Sequence, residues 1–154
     1  MILGSTPDEH PATVRLATSQ DAGPITALSL ELGYPSSVAQ VRRRLDVLLG
    51  DGRHAVQVAV RPVGGELVGW IHVFVHQLVM VDRHAEIGGL VVANDQRGCG
   101  IGRLLTAEAE RWARGQDCAT VYVRSNVERE AAHEFYRNLG YNQVKAQGVF
   151  RKTL

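Results

Sequence analysis

Arg97-Gly98-Cys99-Gly100-Ile101-Gly102-Arg103 is the stretch whose residue types bear most directly on chemistry. The apolar run Leu90-Val91-Val92 precedes it, and a helix-forming segment from about Gly100 to Arg114 follows at once. The first turn of a helix leaves N–H groups unpaired, and the macrodipole puts partial positive charge on them. Alternate glycines let an anion approach those donors, so the loop suits phosphate or pyrophosphate. Arg97 and Arg103 bracket it and add charge. Spacing excludes two common phosphate motifs. A Gly-x-Gly-x-x-Gly fingerprint would need glycine at 103 or 105, where Arg103 and Leu105 stand. The Gly-Lys-Ser/Thr end of a P-loop does not occur in the chain.

Titratable groups gather on two strand-like segments. From Leu67 to about Leu78, Ile71, Val73 and Val75 share one side and read as core. Trp70, His72, Phe74 and His76 share the other, which reads either as a cleft wall or as a half-exposed sheet face. On a strand His72 and His76 stand ~13 Å apart, so they make a poor metal pair, and no metal is expected. After a turn placed at Val81-Asp82-Arg83-His84, a strand from Ala85 to Val92 carries Glu86. Gly88-Gly89 inside that strand predicts a bulge, which would splay it from its neighbour and leave backbone groups facing a cleft. Cys99 and Cys118 show neither metal-ligand nor disulfide spacing. Cys99 stands in a helix-entry loop, yet no base is patterned with it.

The remaining chain supplies the scaffold. Met1 to Pro11 read as a tail, and residues 12–154 as a single domain. Thr13 to Thr18 predicts a strand, and Asp21 caps a helix running to about Leu32 with Gly33 as its stop. A second helix runs from Ser36-Ser37 to about Leu49 with Val38, Val41, Leu45 and Leu48 at helical spacing. Ala55 to Arg61 alternates as a strand before the Pro62 to Glu66 loop. Ile101, Leu105, Ala109, Trp112 and Ala113 make one helical stripe. A strand at Thr120 to Arg124, a helix from about Glu128 to Asn138, and a hairpin of Tyr141 to Ala146 with Val149 to Thr153 complete the order. Net charge of +1 gives no electrostatic case for nucleic acid or a membrane, and Arg42-Arg43-Arg44 reads as a solvated helix face. Without a signal peptide, a ~20-residue apolar span or a disulfide framework, the expected compartment is the cytoplasm.

Two motifs carry a family resemblance. The loop fits Arg/Gln-x-x-Gly-x-Gly/Ala and resembles the coenzyme A pyrophosphate loop of the GNAT family of N-acetyltransferases. Ala131-Ala132-His133-Glu134-Phe135-Tyr136-Arg137-Asn138-Leu139-Gly140-Tyr141 resembles that family's Ala-x-x-Phe-Tyr-x-x-x-Gly-Phe/Tyr segment. The fold implied is a mixed α/β sheet, β-α-α-β-β-β-α-β-α-β-β, splayed at its centre and with helices on both faces. The resemblance implies acetyl-CoA as co-substrate, held by the backbone of Leu90, Val91 and Val92 and by Arg97, Gly98, Cys99, Gly100, Ile101, Gly102 and Arg103. It implies Tyr136 as the proton donor to the departing thiolate. Helix geometry places this tyrosine at the edge of a stripe of Ala131, Ala132, Phe135 and Leu139.

Many family members carry an asparagine seven residues before the tyrosine, where this chain has Arg129. Asn126 is the nearest candidate for that contact. A base must free the amine, and a strand glutamate is common in the family, so Glu86 comes first, with His76 and His72 as alternatives. The expected reaction is acetyl transfer to a primary amine, a small molecule for preference, by direct attack in a ternary complex. A protein or peptide acceptor, a non-catalytic acyl-CoA-binding module, and a nucleotide-binding domain of unrelated fold are the competing readings. A homodimer stays open.

Overall fold

The computed structural model describes residues 12–154, so the Met1 to Pro11 tail lies outside the described residues. The elements are β1 (Thr13–Leu16), α1 (Ala22–Glu31), α2 (Val38–Leu49), β2 (His54–Val60), β3 (Leu67–Leu78), β4 (Val81–Val92), α3 (Ile101–Gly115), β5 (Val121–Val123) and α4 (Glu130–Asn138). The strands form one sheet in the order β1-β2-β3-β4-β5. Its first three pairings are antiparallel, and β4 with β5 is parallel. That last pairing needs a crossover, and α3 is the helix that makes it. Contacts divide the chain into one compact unit through Val123 and a second from Arg124 onward.

In the first unit, helices cover both faces of the sheet. Val58 pairs with Trp70, so the two share a face, and there they pack with Ala22 and Ile25 of α1 and Val41 and Leu45 of α2. Gly69 precedes Trp70 and points the other way. A Cβ on Gly69 would stand 3.1 Å from Leu105 and 3.4 Å from Ile101, both on α3. The α3 stripe is as its periodicity predicts, with Ile101, Leu105, Ala109 and Ala113 buried and Trp112 half-buried. Ser37 caps α2 through a box in which its hydroxyl accepts from the Gln40 N–H (3.2 Å) and its own N–H donates to Gln40 Oε1 (2.9 Å). Arg42, Arg43 and Arg44 lie on its exposed side. Asp21 occupies the cap position of α1, but its carboxylate turns back to accept from the Thr18 N–H (2.8 Å) and from both guanidinium NH2 groups of Arg15 (2.8 and 2.9 Å). Those hydrogen bonds, Arg15's first, hold the Asp21 carboxyl below the usual carboxylate range.

Two sequence expectations need correction. The β3–β4 turn is Val79-Met80, so β4 starts at Val81 and not at Ala85. Val81 through His84 belong to the strand, with Leu78 opposite Val81 and His76 opposite His84 and a register shift between the two pairs. Asp82 had marked the turn by residue type, but strand pairing reaches past it. The closing hairpin of Tyr141 to Ala146 with Val149 to Thr153 is not formed; no described residue after Val123 is in a strand. The apolar residues there fall at Tyr141, Val144 and Ala146, which is not a period of two, and a lone hairpin is marginal in water. Val144, Val149 and Phe150 are exposed.

In the second unit, α4 ends in a Schellman motif. Gly140 is left-handed (φ 92°), its N–H donates to the Arg137 carbonyl (3.0 Å), and the Tyr141 N–H donates to the Tyr136 carbonyl (3.0 Å). The hydrophobic contact that accompanies such a cap is the edge-on packing of Tyr141 on Tyr136, with centroids 5.5 Å apart. The expected stripe on α4 is half-buried at Ala132, Phe135 and Leu139, while Ala131 is exposed.

The glycine pair in β4 is explained by the sheet. His72 pairs with Gly89 and Val73 with Ile87, so Gly88 is the extra residue of a bulge. A Cβ on Gly89 would fall 2.7 and 2.9 Å from the Trp70 indole, and one on Gly88 would fall 3.0 Å from the Phe74 ring. Trp70 is wedged against the α1–α2 cluster and has little room to yield. Gly89→Ala is therefore expected to destabilise the protein by ~1–3 kcal/mol, with part recovered by Trp70→Phe in the double variant, as urea denaturation of the four-protein cycle would measure.

Candidate active site

The bulge marks where β4 loses its parallel partner. β4 pairs with β5 only at Ala85–Val121, Glu86–Tyr122 and Ile87–Val123. Among the described residues no strand pairs with the β5-facing edge of β4 from Gly88 to Val92, as the sequence predicts. Val91 is 3% exposed, so its side chain belongs to the core and only its backbone is available at that edge. The chain then passes through a short 3-10 turn, Asn94–Gln96, whose first N–H donates to Glu31 Oε2 (3.1 Å). Gly98 and Gly100 follow with φ of 77° and 83°. Such left-handed positions cost any other residue dearly, and a Cβ at either would meet nothing within 4 Å. These glycines serve backbone shape rather than packing. Gly100 is the N-cap of α3, and the buried Ile101 side chain anchors the first turn to the core. Arg97, Cys99 and Arg103 are exposed around the loop, with Cys99 Sγ lying 3.8 Å from the Arg97 carbonyl.

Glu86, His72 and His76 are brought to one face of the sheet, together with two residues whose place was not legible in the sequence. Glu86 is 6% exposed, and its Oε2 lies 3.2 Å from His76 Nε2. His84, taken as a turn residue by sequence, is a buried strand residue stacked on His76, with centroids 5.2 Å apart and planes 2° from parallel. His54 comes from β2, and its Nδ1 lies 3.0 Å from His72 Nε2. Rings run on from there: His72 to Phe74 (5.4 Å), Phe74 to His76 (4.9 Å), and His84 to Tyr122 (4.7 Å). The face is a continuous band of imidazole and aromatic rings with one carboxylate in it. A turn at Val79-Met80 puts His84 in the strand, but only the register shift between the Leu78–Val81 and His76–His84 pairs brings it opposite His76.

In the second unit, Tyr136 sits on α4 between Phe135 (5.1 Å, edge-on) and Tyr141. Burial pushes its phenol up to about 12, so it stays protonated through the physiological range. The Asn126 side-chain oxygen accepts from the Glu128 N–H (3.2 Å) in a turn leading into α4.

Residues 27–141 match the model of the acetyltransferase (GNAT) family, three quarters of the chain. The chain belongs to that family. Its enzyme class is N-acetyltransferase. It is 31% identical over 146 residues to an aminoglycoside N(6')-acetyltransferase type 1 of Stenotrophomonas maltophilia, covering 92% of this chain and 94% of the relative. It is 35% identical over 133 residues to an aminoalkylphosphonate N-acetyltransferase of Salmonella typhimurium, covering 84% of each. Its fold is that of the aminoglycoside 6'-N-acetyltransferase of Acinetobacter haemolyticus, with a TM-score of 0.80 over 92% of this chain and 99% of the other at 17% identity. Among the described residues no helix is long and apolar enough to cross a membrane.

Within this GNAT enzyme the three base candidates are not equivalent. Burial first, and the nearby His54 second, lower the His72 pKa from 6.5 to about 4. A base that weak holds a proton poorly at neutral pH, so His72 is the poorest match to amine deprotonation. The same shift affects stability. Between pH 6.5 and 4 the unfolded state binds the proton that folded His72 refuses, so stability falls as pH drops through that window and levels off below it. His54, itself 3.9 Å from Asp51, is the titratable group facing it. His72→Gln should remove roughly 2–3 kcal/mol of the loss between pH 7 and 4.5, measured as the difference between variant and parent denaturation curves.

Proposed function

We propose that this enzyme transfers the acetyl group of acetyl-CoA to the primary amine of a small molecule by direct attack in a ternary complex, with residues 12–154 acting as one acetyltransferase domain. The observation that carries the reading is continuity. The open edge of β4 from Gly88 to Val92 runs straight into the left-handed Gly98 and Gly100 and then into the first turn of a 15-residue helix. Strand backbone suits the amide groups of pantetheine, and the helix entry suits the pyrophosphate. Leu90, Val91 and Val92 contribute N–H and C=O groups; Gly98 through Arg103 contribute N–H donors, with Arg97 and Arg103 adding charge. Asn126 is a lesser candidate, because its side-chain oxygen already serves the turn before α4. The family match, which runs through both compact units, supports the single-domain reading.

The amine nitrogen attacks the thioester carbonyl carbon, and the carbonyl electrons move to oxygen. N–H groups of the open strand stabilise that oxyanion. Glu86, directly or through water, takes the ammonium proton beforehand, and His76, with 27% of its side chain exposed, links the buried carboxylate to solvent. The tetrahedral centre then collapses, the C–S bond breaks, Tyr136 gives its proton to the departing thiolate, and the second amine proton restores the phenol directly or through water. A phenol held protonated up to about 12 is a donor that solvent does not deplete at neutral pH. A small acceptor is supported by the aminoglycoside and aminoalkylphosphonate acetyltransferases among the relatives. A reducing, cytoplasmic setting suits the exposed free thiol of Cys99.

Gly100→Val tests the donor site. A β-branched residue is forced out of the left-handed region, so the loop must reshape and acetyl-CoA affinity should fall at least tenfold by calorimetry. Unchanged affinity would remove the loop from the cofactor site. Tyr136→Phe tests the acid. The ring packing on Phe135 and Tyr141 is kept, so fold and acetyl-CoA affinity should survive while kcat drops roughly 10²–10⁴-fold. An activated thioester with a more acidic leaving thiol should recover part of the loss. Parent kcat in the variant, with chemistry rate-limiting, would reduce Tyr136 to a packing residue.

A further inference from the structure

His76 of β3 and His84 of β4 are directly opposed in the antiparallel pair, and Glu86, two residues along β4, shares their face. One ring nitrogen of each histidine and one Glu86 carboxylate oxygen all lie within 4.8 Å of one another. An ordinary ion pair accounts for His76 and Glu86. It does not account for His84, a histidine 5% exposed that lies beside them. The His84 Nδ1–H donates to the Asp82 carbonyl (2.9 Å). A carbonyl only accepts, so Nδ1 carries a proton and Nε2 is the nitrogen left for a metal. That tautomer, fixed by a backbone carbonyl, is the arrangement that orients metal-bound histidines. Tyr122 on one side and His76 on the other keep the ring in place.

We propose that His76, His84 and Glu86 bind a zinc-class divalent transition-metal ion, with the fourth position open to water on the side of His76. Two imidazoles and a carboxylate form the mixed nitrogen and oxygen set that zinc takes, and three protein ligands leave one position free. Tetrahedral zinc with bonds of ~2.0–2.2 Å holds its ligand atoms roughly 3.3–3.6 Å apart. His76 and Glu86 are already 3.2 Å apart. The widest gap in the trio closes by about 1.5 Å at most, within reach of the soft terminal torsions of two imidazoles and a carboxylate. Glu86 is buried and the His76 side chain is 27% exposed, so the ion enters from His76. Because Glu86 is the base in the function proposed above, a bound ion occupies the lone pairs that acetyl transfer needs. Zinc is then an inhibitor rather than a cofactor. That consequence rests on the proposed function; the binding itself does not.

Cobalt(II) gives a direct readout. Chelator-stripped full-length protein titrated with Co²⁺ should develop the visible bands of a tetrahedral site, saturate at one ion per chain, and bleach on adding Zn²⁺. His84→Gln and, separately, His76→Gln should each weaken Co²⁺ binding roughly 100-fold or more, with fold checked by circular dichroism, while His54→Gln leaves it unchanged. At buffered free zinc, with acetylated amine followed rather than thiol, the parent should be inhibited. His84→Gln, measured against its own metal-free rate, should lose the inhibition. Absence of cobalt bands in the parent, or bands that survive both ligand substitutions, would overturn the site. Binding without inhibition keeps the site and removes Glu86 as the base. If no amine is acetylated at all, the cobalt titration still decides the metal.

Discussion

A strand edge must find partners for its N–H and C=O groups, and β4 runs out of one at Ile87. Much of the first unit is arranged around that shortage. β3 pairs with β4 from Val81 to Val92 across two register shifts, so β4 is held on one side and lacks a strand partner beyond Ile87 on the other. α3 begins where the open edge ends, and its buried Ile101 and Leu105 fix the direction of the first turn. An exposed, unpaired edge is ordinarily a hazard for aggregation. Here it leads into a helix entry rich in unpaired N–H groups, so a polar, extended ligand with an anionic end can satisfy both. Ligand chemistry and backbone accounting point to the same occupant.

The opposite demand falls on the ring-lined face of the sheet. Of its polar groups, Glu86 and His84 are buried and His54, His72 and His76 half-buried, and polar groups taken from water cost free energy unless they are paired. They meet the cost by pairing: His54 with His72, His76 with Glu86, and His84 with the Asp82 carbonyl. Burial first, and the nearby His54 second, hold His72 neutral. Aromatic rings between them fill the spaces that water would take, which strengthens each remaining polar contact. A carboxylate in such a setting is shielded from bulk solvent yet linked through His76 to the surface.

How far this was legible in the sequence differs from residue to residue. The glycine loop was legible as a helix entry because glycine takes the left-handed turns that other residues avoid, and Gly98 and Gly100 adopt such φ values. The bulge was legible from Gly88-Gly89 inside a strand. Helix ends were legible where capping residues stood at the expected spacing, as at Ser37 and Gly140. His84 was not, because Val79-Met80 has none of the usual turn residues and Asp82 has the look of one. Nor was the absence of strands after Tyr141, whose side chain is taken up by the cap of α4. His54 was missed because cross-strand proximity depends on register, which composition does not carry.

Register is also what makes Glu86 available. Along β3 and β4 the pairs run Trp70–Val91, Ile71–Leu90 and His72–Gly89, then skip Gly88 and resume at Val73–Ile87 and Phe74–Glu86. Remove the skip, and Val73 would face Gly88, Phe74 would face Ile87, and Glu86 would fall opposite Val75. Because strand side chains alternate, Glu86 would then project to the apolar side of Val73 and Val75, and Ile87 into the histidine face. Both placements would be costly: a buried carboxylate without His76, and an isoleucine among imidazoles. The single unpaired residue therefore reconciles two requirements on one strand. It lets residues 89–92 keep their pairing with β3 while turning residues 84 and 86 toward His76. Glycine suits that position because Phe74 lies where its Cβ would be. The same bulge that coincides with the end of the parallel pairing also sets which face carries Glu86.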